Sequence, residues 1–229
     1  MINRLILASG TAFALALAAV PASAATLQVI SGPTGQRAVT LEAFGPVGQS
    51  FTAFDTTISS VGFQFEALNP AAVNTPINLT LRSGSSLTGA SLFSTSFTLP
   101  LSINGRTATW FDVAVPNWVV TTGQVYTLVM ANTGGSFRNA VVLGPEIDIQ
   151  TGQVLGGDAY TGGTALFTTQ PYQNFCLTSG ICDLNFRITA TTPVIAAVPE
   201  PATWAMLVSG FGVAGFGLRS AKRRKLAAA

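Results

Sequence analysis

Strict alternation of apolar and polar side chains is the feature that most constrains the fold of this chain. The clearest run is 77–82, where Ile, Leu and Leu alternate with Asn, Thr and Arg. Successive side chains of a strand point to opposite faces of a sheet, so the run predicts a strand with one buried face. In the run 58–65 the same logic places Val61, Phe63 and Phe65 on one face.

The same period recurs along most of the chain and predicts an all-β fold. Strands are predicted over 26–30, 49–54, 58–65, 77–82, 91–99, 107–115, 124–130 and 183–189. Turn residues separate them, and no stretch between the chain ends shows an apolar stripe of helical period with caps. Short strands joined by turns are typical of an antiparallel β-sandwich.

Both chain ends are predicted to be targeting segments rather than parts of the fold. At the N-terminus, Arg4 precedes the apolar run 5–20, and Ala22-Ser23-Ala24 fits a cleavage site. The pattern predicts a signal peptide over 1–24, cleaved between Ala24 and Ala25, and therefore an exported protein.

The C-terminal end combines a proline motif, an uncharged stretch and a basic cluster. Pro199-Glu200-Pro201 comes first, and the stretch 202–218 follows without a charge. As a helix these residues would reach roughly 25 Å, near the lower limit for crossing a membrane, and the helix would begin after the prolines. The basic residues that follow predict a cytoplasmic stop signal: Arg219, Lys222, Arg223, Arg224 and Lys225.

This tail resembles the PEP-CTERM sorting signal of Gram-negative bacteria. The resemblance rests on Pro199-Glu200-Pro201, the run Trp204-Ala205-Met206-Leu207, the Gly- and Phe-rich apolar segment and Arg223-Arg224-Lys225. It implies passage through the Sec translocon, a membrane-anchored intermediate, and an exosortase that cuts at or near the proline motif. The expected destination is the cell surface, outer envelope or extracellular matrix, in association with exopolysaccharide and biofilm. The alternative is a membrane anchor that is never processed.

The region between the two segments resembles the jelly-roll β-sandwich domains that PEP-CTERM proteins often carry. The similar pieces are 48–52, 77–84, 123–128, 160–163 and 183–187. The resemblance implies a jelly-roll-like ectodomain over 25–195, followed by the sorting tail over 196–229. Because such domains are similar in architecture to carbohydrate-binding modules, glycan binding is the alternative function.

Composition removes most catalytic chemistry. The chain has no histidine, and between residues 25 and 198 it has no lysine and five arginines against eight acidic residues, a net charge of −3. Histidine-based catalysis and the common histidine metal sites are therefore excluded, and no basic face for nucleic acid is expected. We expect a non-enzymatic protein without a cofactor.

The remaining candidate residues are two cysteines, three acidic residues and three aromatic residues. Export favours a disulfide between Cys176 and Cys182. The acids Glu146, Asp148 and Asp158 are read as solvated loop residues, with a calcium site as the alternative and a glycosidase pair as a weaker one. Trp118, Tyr160 and Tyr172 lie in predicted loops and are the candidates for glycan contact, whereas Trp110 and Tyr126 are expected in or near the core.

Overall fold

A computed structural model describes residues 24–32, 38–145, 154–169, 180–191 and 210–211. One compact unit covers Ser23–Pro193, and its described residues form twelve strands and one short helix. These are β1 (Ala24–Val29), β2 (Ala38–Thr40), α1 (Leu41–Phe44), β3 (Val47–Thr52), β4 (Thr57–Ala67), β5 (Ile77–Ser83), β6 (Ser91–Phe97), β7 (Gly105–Val119), β8 (Val125–Asn132), β9 (Asn139–Gly144), β10 (Ala165–Phe167), β11 (Asp183–Leu184) and β12 (Phe186–Thr191). We call this unit the β domain.

The strands form two antiparallel sheets. In the first sheet, β1, β12, β4 and β7 lie side by side, and β9 pairs with the end of β4 and also with β2 and β11. The second sheet has the order β10-β3-β8-β5-β6. Side chains from both sheets bury one shared core. The predicted all-β fold with two packed antiparallel sheets is confirmed.

The predicted alternation decides which side chains enter the core. Val61, Phe63 and Phe65 of β4 are completely buried, as are the apolar residues of β5. Phe65 meets Phe97 of the other sheet edge to face, with 6.0 Å between ring centroids. Burying a large apolar side chain stabilises the fold by about 1.5–3 kcal/mol, so these positions hold the two sheets together.

The pattern of alternating apolar and polar residues fails to predict several strands of the domain. All six residues of β9 are buried, so the strand shows no alternation with polar residues. Strands β2 and β10 have three residues each, too few for a pattern. The single strand predicted over 183–189 is wrong at Asn185, because β11 pairs with β9 before this residue and β12 pairs with β4 after it.

The two targeting segments lie almost entirely outside the described residues. Ala24 and Ala25 are exposed and begin β1. Of the predicted apolar helix only Gly210 and Phe211 are described, and both are helical and exposed. The described part of the chain contains no helix with the length and hydropathy needed to cross a membrane. The segment boundaries and the signal-peptide cleavage site stay predictions.

Candidate functional site

Trp118, predicted as an exposed glycan contact, lies in the core instead. It is 1% exposed and stacks on Phe93 of β6, with 5.9 Å between ring centroids. Val113 and Val115 point inward, so simple alternation would turn Trp118 outward. An irregularity in the pairing of β7 with β4, with Asn117 at φ 45°, shifts the register and turns the indole back inside. The expectation for Trp118 is therefore corrected.

Tyr160 is also used by the fold itself. Its hydroxyl accepts a hydrogen bond from the backbone N–H of Thr52 at 3.1 Å, and its half-buried ring packs edge to face on Phe186 at 5.5 Å. The ring thus joins the loop before β10 to both sheets. The third predicted aromatic contact, Tyr172, lies outside the described residues.

Asp158 has a neighbour that the sequence did not single out. The backbone N–H of Tyr160 donates to Oδ1 of Asp158 at 2.9 Å and to Oδ2 of Asp183 at 3.0 Å, which places the two carboxyl groups side by side. Asp183 is fully buried, and its Oδ1 accepts a hydrogen bond from Nε2 of Gln49 at 2.8 Å. Gln49 also accepts from the backbone N–H of Leu184, so this carboxyl group links β3 to β11 across the side of the sandwich.

The pKa of Asp183 is raised to about 7, mainly by burial and also by the neighbouring Asp158 carboxyl group, against the hydrogen bonds from Gln49 and Tyr160 that lower it. Asp183 can hold a proton at neutral pH, which lets its buried carboxyl group lie beside the exposed carboxylate of Asp158.

The calcium prediction stays untested by this geometry. Glu146 and Asp148 lie outside the described residues, and Asp158 is exposed. In the described ranges no three acidic or cysteine side chains are grouped in a way that could hold a metal ion.

Cys182 is buried and takes part in a disulfide bond. Its predicted partner, Cys176, lies outside the described residues, so the pairing itself stays a prediction.

Asn185 lies where β9 separates from β4, and it hydrogen-bonds to three neighbouring segments. Its backbone N–H donates to Val142 at 2.9 Å, and its carbonyl accepts from the N–H of Gln64 at 3.1 Å. Its side-chain oxygen accepts from the backbone N–H groups of Ser31 and Gly32, and its amide donates to Gly32 O and to the Gln64 side chain. A fully buried amide with all its partners fixes this junction.

Arg138 plays a similar part at one end of the sandwich. Its guanidinium is 1% exposed and donates to the carbonyl of Ile103 at 2.7 Å and to the side chain of Asn74 at 3.3 Å. Its backbone carbonyl accepts from the N–H of Leu68 at 3.1 Å. Arg138 therefore connects the loop before β9, in which it lies, to the loops before β5 and β7 by hydrogen bonds.

The outer face of the first sheet carries a half-exposed aromatic residue beside an ion pair. Arg187 of β12 and Asp112 of β7 meet above Gly62 of β4, where any larger side chain would collide with both. Nε of Arg187 donates to Oδ1 of Asp112 at 2.6 Å, and this bond raises the pKa of the arginine. The guanidinium carbon lies 4.6 Å from the ring centroid of Trp110, which is half-buried.

The family model for the PEP-CTERM protein-sorting motif matches residues 197–224. The matched residues contain the proline motif Pro199-Glu200-Pro201, the apolar segment and the basic residues up to Arg224. No curated protein matches the chain in sequence. The predicted resemblance of the tail is confirmed: the chain carries a PEP-CTERM sorting signal, which marks an exported protein that is anchored in the membrane before an exosortase processes it.

Proposed function

We propose that the β domain is a non-enzymatic structural or adhesive module of the cell envelope or extracellular matrix, working together with exopolysaccharide or in a biofilm. The observation that carries the proposal is the sorting motif at residues 197–224, because it attaches a folded β domain to an export and processing route. The role requires a stable scaffold delivered outside the cell and no chemical step.

The internal hydrogen bonds of the β domain support a scaffold role. Asn185, Asp183 and Arg138 are nearly or completely buried, and each one joins segments that are far apart in the chain. Buried polar groups of this kind stabilise one loop arrangement when their partners are present. The carboxyl groups of Asp183 and Asp158 both accept hydrogen bonds from the same backbone N–H, which suits a structural link better than a glycosidase pair.

Glycan binding is the second candidate function. The observation that favours it is the half-exposed Trp110 on the outer face of the first sheet, beside Arg187 and Asp112. The aromatic ring offers a surface on which a sugar ring can pack, and the charged groups beside it can hydrogen-bond to sugar hydroxyls.

The sorting proposal is tested by replacing Pro199, Glu200 and Pro201 with alanine in the native host. We expect the triple variant to stay in the inner-membrane fraction with an intact tail, whereas the unchanged protein reaches the outer envelope or matrix without it. Pro193→Ala, a proline outside the matched residues, is the matched control and should leave sorting unchanged.

Fractionation and mass spectrometry of the intact protein give the two readouts. A processed, matrix-located triple variant would contradict exosortase-dependent sorting. Release of the unchanged protein into the medium with no retention in the envelope or matrix would contradict a structural or adhesive role.

A further inference from the structure

We propose that the outer face of the first sheet, around Trp110, Arg187 and Asp112, binds an uncharged polysaccharide chain. This inference deepens the second candidate function by naming the site and the class of glycan. It rests on a surface different from the loop aromatics that the sequence indicated, since Trp118 is buried and Tyr160 is committed to internal contacts.

The surface consists of two neighbouring rows of side chains that cross four strands. One row is Gln28, Arg187, Gly62 and Asp112, and the next row is Thr26, Thr189, Ser60 and Ala114. All of these residues except Gly62 are exposed or half-exposed. Four strands at the usual spacing make a surface about 14 Å wide. The second row has only small hydroxyl and methyl side chains, so the surface is low and flat enough for an extended chain to lie across it.

Trp110 supplies the apolar contact beside these polar rows. It is the direct cross-strand neighbour of Gln64 and lies one alternation step from Asp112 on the same outer face. Arg187 holds the indole through a cation–π contact at 4.6 Å. A side chain fixed in this way loses little conformational freedom when a sugar ring packs on its remaining open surface, which favours binding.

The charges of the surface indicate an uncharged ligand. Arg187 and Asp112 neutralise each other, and their row carries no other charged side chain. Within the described contacts, Arg187 uses Nε and Nη2 for Asp112, so Nη1 can donate to a sugar hydroxyl. The carboxylate of Asp112 is 44% exposed and can accept from another hydroxyl. A neutral pair with donors and acceptors suits hydroxyl groups rather than carboxylate groups.

The test measures binding of the purified full chain in detergent to neutral hexose and pentose oligomers, with cellohexaose as the first probe and mannan, galactan and xylan fragments beside it. Trp110→Ala should weaken binding at least tenfold, and Trp110→Phe, which keeps an aromatic ring, should give an intermediate loss. Phe137→Ala, which removes an aromatic side chain that is 55% exposed elsewhere on the domain, is the matched control and should bind like the unchanged protein.

Asp112→Asn provides an independent arm of the test. It leaves the charge of Arg187 without a counter-charge, so binding of oligogalacturonate, an anionic probe, should rise at least threefold while cellohexaose binding falls. Far-UV circular dichroism checks that each variant keeps its β signal.

Three results would overturn the inference: binding of no neutral oligomer, equal binding by folded Trp110→Ala, or a preference of the unchanged protein for oligogalacturonate. Failure here and failure of the sorting proposal are distinguishable. If Trp110 has no effect on glycan binding but delivery to the matrix still depends on the proline motif, only this inference fails.

Discussion

At the scale of single residues, the buried carboxyl group of Asp183 makes the stability of the β domain depend on pH. Its pKa is about 7 in the folded chain, compared with an ordinary value near 3.8. Between these values the folded state holds a proton that the unfolded state has released. The contribution of Asp183 to the free energy of unfolding is therefore complete below about pH 4 and is lost as the pH rises through 7, by on the order of 4 kcal/mol.

Asp183→Asn should remove this part of the pH dependence. Asparagine keeps an oxygen that can accept from Gln49, and its amide can donate to Asp158, but the amide nitrogen cannot accept from the N–H of Tyr160 as Oδ2 does, so the variant is expected to be less stable overall while losing the titration. Urea denaturation at pH 4 to 8 should show a flatter profile for the variant than for the unchanged protein. Asp112→Asn, at an exposed acid, is the control and should keep the original slope. An unchanged slope in Asp183→Asn would show that another group is responsible.

Asn185→Leu should be among the most damaging substitutions in the β domain. It removes the side-chain partners of Ser31, Gly32 and Gln64 in a buried site. Buried polar groups without partners cost about 1–3 kcal/mol each, so we expect a loss on the order of 3–5 kcal/mol in chemical denaturation. Asn104→Leu, in an exposed loop, should change stability by less than about 0.5 kcal/mol. Similar losses of stability for the two variants would contradict a stabilising role of the Asn185 side-chain hydrogen bonds.

At the scale of elements, the irregularity in β7 decides where Trp118 points. Asn117 adopts φ 45°, a left-handed conformation that asparagine and glycine tolerate and β-branched residues do not. Asn117→Gly should preserve stability to within about 0.5 kcal/mol, and Asn117→Val should lose about 1–3 kcal/mol. Ala114→Val, at an exposed position of the same strand, is the control and should be neutral.

Near-UV circular dichroism gives the second readout for this element. Asn117→Val should also weaken the tryptophan signal, because strain at Asn117 loosens the stacking of Trp118 on Phe93. If Asn117→Val is as stable as Asn117→Gly and keeps the signal, the register shift does not depend on this backbone conformation.

The strands with one solvent-exposed face and one buried face were predictable from the sequence. The strands that the sequence did not predict differ for physical reasons. In β5 the alternation named the core residues correctly, because solvent on one side preserves the pattern. In β4 it named Val61, Phe63 and Phe65 correctly, although the intervening Gly62 and Gln64 are buried as well. β9 has no solvent-facing side. The register irregularity at Pro116 and Asn117 changes which face the residues of β7 point to, and the proline and asparagine there indicated a loop rather than a continuing strand. The pairing of Asp183 with Asp158 joins positions 25 residues apart, and no local pattern predicts such a contact.

At the scale of the whole molecule, removal of the two targeting segments should change the sign of the net charge. The full chain carries +2 and has a sequence pI near 8.8, whereas residues 25–198 carry −3. The mature protein should therefore focus below pH 7 and the full chain well above it. Isoelectric focusing of protein from the native host, with the mass of each band measured, checks this. A mature band that focuses above pH 7 would contradict removal of the basic tail.

The pairing of Ala24 with Thr191 has a mechanical consequence. β12 ends at Thr191 and lies between β1 and β4, hydrogen-bonded to both. A pull on the chain beyond Thr191 that acts along β12 loads its bonds to both neighbours in shear, so they must break together rather than one after another. An attachment made through the C-terminal side of this domain would therefore resist tension from a moving matrix better than an attachment that peels off an edge strand.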